Sequence, residues 1–109
     1  MNEQLKTEFA KFSKMTQSQK IIWLSKLLFI TSMFARDTYQ VGTVQVEKPD
    51  ELRKYNELLH RIASFQLEIA VGKDERKPDK QFFLMLADLI DEIGINTFTL
   101  LDAIDKLKE

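Results

Sequence analysis

Apolar residues recur at helical spacing along almost the whole chain, and the pattern breaks only at a few glycines, prolines and capping residues. Leu5, Phe9 and Phe12 stand at i, i+4 and i+7, which puts one narrow apolar stripe on a short first helix. Thr16 followed by Gln19 has capping-box spacing, so a second helix starts near Gln17 and runs to about Tyr39. On it Trp23, Leu24, Leu27, Ile30 and Phe34 form a broad face, while Ile22, Phe29 and Met33 fill another flank. A helix apolar on nearly all sides is expected at the centre of a bundle. Its polar breaks are two thin seams, Ser25, Ser32 and Arg36 on one and Lys26 and Asp37 on the other.

Gly42 ends that pattern. Residues 41–48 read as a connection with β-branched content and no helical period, and a single strand there has nothing to pair with. Pro49 suits the first turn of a third helix, whose positive end Asp50 and Glu51 complement. This helix is expected to reach Val71 and stop at Gly72, with Leu52, Tyr55, Leu59, Ile62, Gln66 and Ile69 as its core stripe. Residues 73–77 form a charged linker. Pro78 and Asp79 open a fourth helix with Phe82, Leu86, Leu89, Ile90 and Ile93 inward and Gln81, Asp88, Asp91 and Glu92 outward. Gly94 ends it, and Asn96 caps a short fifth helix carrying Leu100, Leu101, Ile104 and Leu107. The chain therefore reads as one all-α domain over residues 1–109. Four to five helices form a single compact bundle, with a long connection between helices two and three.

A length of 109 residues and 44% apolar content, with eight Phe and one Trp, suffice for one packed core. Phe82, Phe83 and the methionines at 15, 33 and 85 read as core filling. The net charge of −1 and the pI near 5.9 argue against a general grip on nucleic acid. Charge is unevenly spread: residues 1–47 carry six Lys/Arg against four Asp/Glu, and residues 82–109 carry two against six, an asymmetry that packing of the two regions would neutralise. With no cysteine, disulfides and thiolate zinc sites are excluded and a reducing cytoplasm is the expected compartment. The N-terminal stretch has no signal-peptide core. The apolar run from Ile21 to Ala35 is too short for about 30 Å of hydrocarbon and carries Lys26 in its middle, so no membrane association is expected.

Candidate chemistry concentrates between residues 36 and 61. Arg36, Asp37 and Tyr39 close the second helix; Asn56 and His60 share one flank of the third, with Glu57 and Arg61 as an i, i+4 pair beside them. Antiparallel packing of the two helices would bring Arg36 or Asp37 to Asn56, Glu57 or His60. Such a cluster either pins the long connection, so that Arg36→Ala costs about 3–5 kcal/mol as for a broken buried ion pair, or lines a polar pocket with His60 as its titrating group. Glu57 and His60 also match the Glu-x-x-His pattern of di-metal bundles, but that fold needs a second such motif and two further glutamates. No Gly-rich phosphate loop and no nucleophile–base pattern stand out. The valines at 41, 44 and 46 and Leu84 on the outer face of the fourth helix are candidates for an exposed apolar contact patch, set against the reading that single exposed hydrophobes are ordinary.

Arg36-Asp37-x-Tyr39-x-x-Gly42 followed by Asn56-Glu57-x-x-His60-Arg61 resembles the pattern of an uncharacterised family of short all-helical bacterial proteins. The resemblance implies a small bacterial cytosolic protein with this helix–loop–helix at its centre, and it transfers no substrate, cofactor or catalytic residue. The resulting expectation is a non-enzymatic interaction or regulatory module. It binds a protein partner or itself, with no cofactor, through the surface that Arg36, Asp37, Tyr39, Asn56 and His60 shape. The alternative is a dimeric metal- or small-ligand-binding bundle using Glu57 and His60.

Overall fold

In the computed structural model, which describes residues 1–39, 49–72 and 79–107, five helices follow one another: α1 (Glu3–Ser13), α2 (Gln17–Tyr39), α3 (Pro49–Val71), α4 (Asp79–Ile93) and α5 (Thr97–Lys106). Each boundary has a local cause. Asn2 Oδ1 accepts from the Leu5 amide at 2.9 Å and caps α1. Thr16 and Gln19 make the reciprocal capping box, Thr16 N–H to Gln19 Oε1 at 2.9 Å and Gln19 N–H to Thr16 Oγ1 at 3.2 Å. Gly72 and Gly94 end α3 and α4 at φ of 65° and 86°, a region open to glycine at no steric cost. Asn96 Oδ1 accepts from the Thr99 amide at 2.9 Å to start α5. The readings of residues 41–48 and 73–78 lie outside the described residues.

The helices pack as a closed ring of neighbours, α1 on α4, α4 on α3, α3 on α2, α2 on α5 and α5 back on α1. Phe12, fully buried, sits at the centre of an aromatic cluster, 5.3 Å from Trp23 of α2, 6.1 Å from Phe65 of α3 and 5.3 Å from Phe83 of α4. Phe65 and Phe82 stack at 4.3 Å with 17° between their planes, joining α3 to α4. α2 and α3 are antiparallel: Gln66 Nε2 of α3 donates to the Ile21 carbonyl at 2.9 Å and to Ser25 Oγ at 2.6 Å, and Gln17 donates to the Ile69 carbonyl. Ring closure is completed where Asn2 Nδ2 donates to Thr97 Oγ1 at 2.9 Å, tying the cap of α1 to the first turn of α5. Among the described residues no helix is long and apolar enough to cross a membrane.

Three expectations about the core need correction. The buried face of α3 runs through Tyr55, Leu58, Ile62 and Phe65, so Leu58 and Phe65 replace Leu59 and Gln66, which are half-buried. On α4 Phe83 is buried as expected, and Ala87, not singled out in the sequence, joins the buried set. The flank Ile22, Phe29 and Met33 of α2 is not interior: α2 packs mainly on α3 and α5 and touches α1 and α4 through Trp23 and Lys20, and the side that carries these three residues meets solvent. Met33 is therefore surface, whereas Met15 and Met85 do pack on the core.

Candidate functional site

Four of the seven residues singled out in sequence lie on α3, and all four are exposed: Asn56, Glu57, His60 and Arg61. Helical period explains this, because the core face at Leu58 and Ile62 leaves these positions turned outward. Arg61 Nη2 donates to Glu57 Oε1 at 3.5 Å, a solvent-exposed i, i+4 pair. Arg36 is exposed at the end of α2, and no hydrogen bond or ion pair joins it to α3 among the described residues. Asp37 and Tyr39 belong to α2 by backbone, and their side chains lie outside the described residues.

His60 and Arg61 do share a groove. It measures ≈ 480 Å³ and runs between α3 and α4, with His60, Arg61, Ser64 and Glu68 on one wall and Gln81 and Met85 on the other. The stacked pair Phe65 and Phe82 makes its floor. No hydrogen bond links His60 to Ser64 or Glu68, so the groove offers separate donors and acceptors without an arranged proton-transfer pair. Glu57 stays outside the groove lining. Among the described residues no three His, Asp or Glu side chains come together as metal ligands.

A second surface was not singled out in the sequence. Of the seven large exposed hydrophobes among the described residues, five lie on α2 and α3: Ile22 (38% exposed), Phe29 (52%), Met33 (41%), Leu67 (64%) and Val71 (53%). At 100° per residue the three on α2 fall within about 40° of one another, opposite Leu24 and Thr31; Leu67 and Val71 lie opposite Leu58 and Ile62. Both sets therefore point away from the core, on the outer side of one antiparallel pair. The register fixed by Gln66 brings Ile22 level with Leu67, and Phe29 level with His60, to within about one turn. By the same register the two apolar sets are level only at Ile22 and Leu67, and α3 presents His60 and Asn56 beside Phe29 and Met33; small exposed residues, Ser18, Ser25 and Ser32 of α2 and Ala63 and Ala70 of α3, share this outer side. The sequence signal was present in the all-round apolarity of α2. Leu84 of α4 is exposed, as expected, while the valines at 41, 44 and 46 lie outside the described residues.

No family model, no curated protein and no solved structure matches this chain.

The rest of the polar inventory is structural. At the α1–α5 junction the Glu8 side chain is 9% exposed, with Lys11 Nζ at 3.8 Å. Burial raises its carboxyl above the ordinary range; Lys11 opposes the rise and Asp105 adds to it. Lys20, Phe12 and Asp79 join α2, α1 and α4. Neither set borders the α2–α3 outer face.

Proposed function

We propose that this protein is a non-enzymatic interaction or regulatory module that works by binding another protein through the outer face of α2 and α3. The observation that carries the reading is the concentration of five large exposed hydrophobes on that one helix pair. Scattered single hydrophobes are ordinary on a soluble surface, whereas a contiguous set marks a contact site. His60, Asn56 and Arg36 border the same face at one end, so the polar residues of the sequence pattern become its rim, as contact surfaces usually have. A reducing cytoplasm suits a chain without cysteine.

The test compares capture by the tagged native protein with capture by Phe29→Asp from a lysate of the cell that encodes it. The expected result is a stoichiometric protein recovered by the native chain and lost with the variant. Identical recovery with both proteins would overturn the proposal.

A second reading, a small-ligand bundle, is favoured by the α3–α4 groove with its aromatic floor. There His60 and Arg61 would meet the ligand, and Glu57 would not. His60→Ala distinguishes the readings: a small-ligand site loses its ligand, and the α2 ridge keeps its partner.

A further inference from the structure

The α3–α4 groove uses its polar groups differently from the seams between the other helices. Between α2 and α3 Gln66 donates to the Ile21 carbonyl and to Ser25, between α2 and α4 Lys20 meets Asp79, and between α1 and α5 Asn2 donates to Thr97. Along the groove His60, Ser64, Glu68 and Gln81 make no hydrogen bond or ion pair among the described residues. Arg61 is engaged only by Glu57 of its own helix, at 3.5 Å and with both side chains roughly half exposed, a pair too weak to hold it against a better acceptor.

The order of these groups along the groove defines what can lie in it. Lys54 of α3 stands 3.7 Å from Glu92, and Phe65 stacks on Phe82, so α3 and α4 run antiparallel. That register places Met85 beside Arg61 and Gln81 toward Glu68, to within about one turn. Arg61, Ser64, Phe65 and Glu68 follow at i, i+3, i+4 and i+7, one stripe of α3. The groove therefore has a cationic end at Arg61, with His60 as a further donor, and an anionic end at Glu68, about 10 Å away along the helix. Between the ends stand a hydroxyl and an amide, over an apolar floor.

We propose that this groove binds a short zwitterionic peptide of about three residues, which rests on the small-ligand reading above and names its ligand. An extended chain advances about 3.3 Å per residue, so three residues span the distance between the two charged ends. The ligand's carboxylate meets Arg61 and His60, and its ammonium meets Glu68. Ser64 and Gln81 serve the peptide groups between, and an apolar middle side chain rests on Met85 and the Phe65–Phe82 pair. A single amino acid reaches only one end. A nucleotide or other polyanion is disfavoured, because Glu68 repels it where Arg61 attracts it.

The experiment is a proton–nitrogen NMR titration of the full chain with the tripeptide Ala-Leu-Ala, with its N-acetylated, C-amidated and doubly capped forms, and with leucine. Arg61→Gln and Glu68→Gln, both at exposed positions, are titrated alongside after a check of native helicity by circular dichroism. The expected result is movement of the amide signals of residues 60–68 and 81–85 by Ala-Leu-Ala, with the doubly capped peptide and leucine each bound at least about tenfold more weakly. Arg61→Gln is expected to abolish the preference for the carboxylate over the amide. Glu68→Gln is expected to abolish the preference for the ammonium over the acetylated end. Equal binding of the capped and uncapped peptides, or of leucine and the tripeptide, would overturn the proposal. Signals that ignore the peptides but move with benzoate or phenethylammonium overturn the peptide and leave the small-ligand reading standing. Signals that move with none of these probes overturn both.

Discussion

Lys20 Nζ of α2 lies 2.9 Å from Asp79 Oδ2 in the first turn of α4, with both side chains largely withdrawn from solvent and the ammonium 5.2 Å from the centre of the Phe12 ring. This pair joins three helices at one end of the bundle, and Asp79 also complements the positive end of its own helix. Removing one partner strands the other charge among apolar neighbours. Asp79→Ala is expected to cost about 3–5 kcal/mol, while Lys20→Met/Asp79→Leu is expected near the native value. Urea denaturation of the three proteins checks this, and a double variant as weak as the single one would count against it.

Phe12 makes the same kind of test for the core. It is fully buried and reaches rings on α2, α3 and α4 at once, so truncation leaves a cavity that no single helix can close. Phe12→Ala is expected to cost about 3–5 kcal/mol, read from the midpoint of thermal or urea unfolding.

Arg36 is the opposite case. The sequence alone suggested a buried partner for it; its exposure removes that cost. Arg36→Ala is expected to change stability by no more than about 0.5 kcal/mol. A loss of several kcal/mol would mean that the side chain is held by groups outside the described residues.

Thr31 is fully buried on the core face of α2, and its hydroxyl finds no hydrogen-bond partner among the described residues. A buried polar atom without a partner costs about 1–3 kcal/mol, so the isosteric Thr31→Val is expected to stabilise the fold. A lower melting temperature for the valine variant would show that the hydroxyl is satisfied.

Glu8 sets a pH dependence. With its carboxyl raised in the fold, chiefly by burial, the unfolded chain loses this proton at lower pH than the folded one. Between those two points the folded state holds more protons, so this group makes stability fall as pH rises. Glu8→Gln is expected to be more stable than the native chain at neutral pH, and the difference to shrink as pH drops below the ordinary glutamate value near ~4.3. Urea titrations on either side of that value check it. A difference independent of pH would remove Glu8 as its source.

The helix boundaries were legible because their signals are local: Thr16 with Gln19, Asn96, Gly72 and Gly94 each act on the turn they belong to. The facing of α3 was less so. Leu58 and Leu59 are adjacent and equally apolar, and what turns Leu58 inward is the position of α4, whose Phe82 stacks on Phe65. The polar pattern of residues 36–61 was legible as a cluster in sequence but not in space, since antiparallel packing of α2 on α3 leaves Asn56, His60 and Arg36 on the outside. The apolar face of α2 was hidden for a related reason. All-round hydrophobicity fixes how much of a helix avoids water, not how many neighbours the ring supplies.

The bond from Asn2 to Thr97 spans 95 residues of chain. The seat of α1 is therefore complete only once α5 has docked, and a contact so distant along the chain must meet a large loop-closure cost before it is rewarded, which makes closure of the ring the slow part of folding.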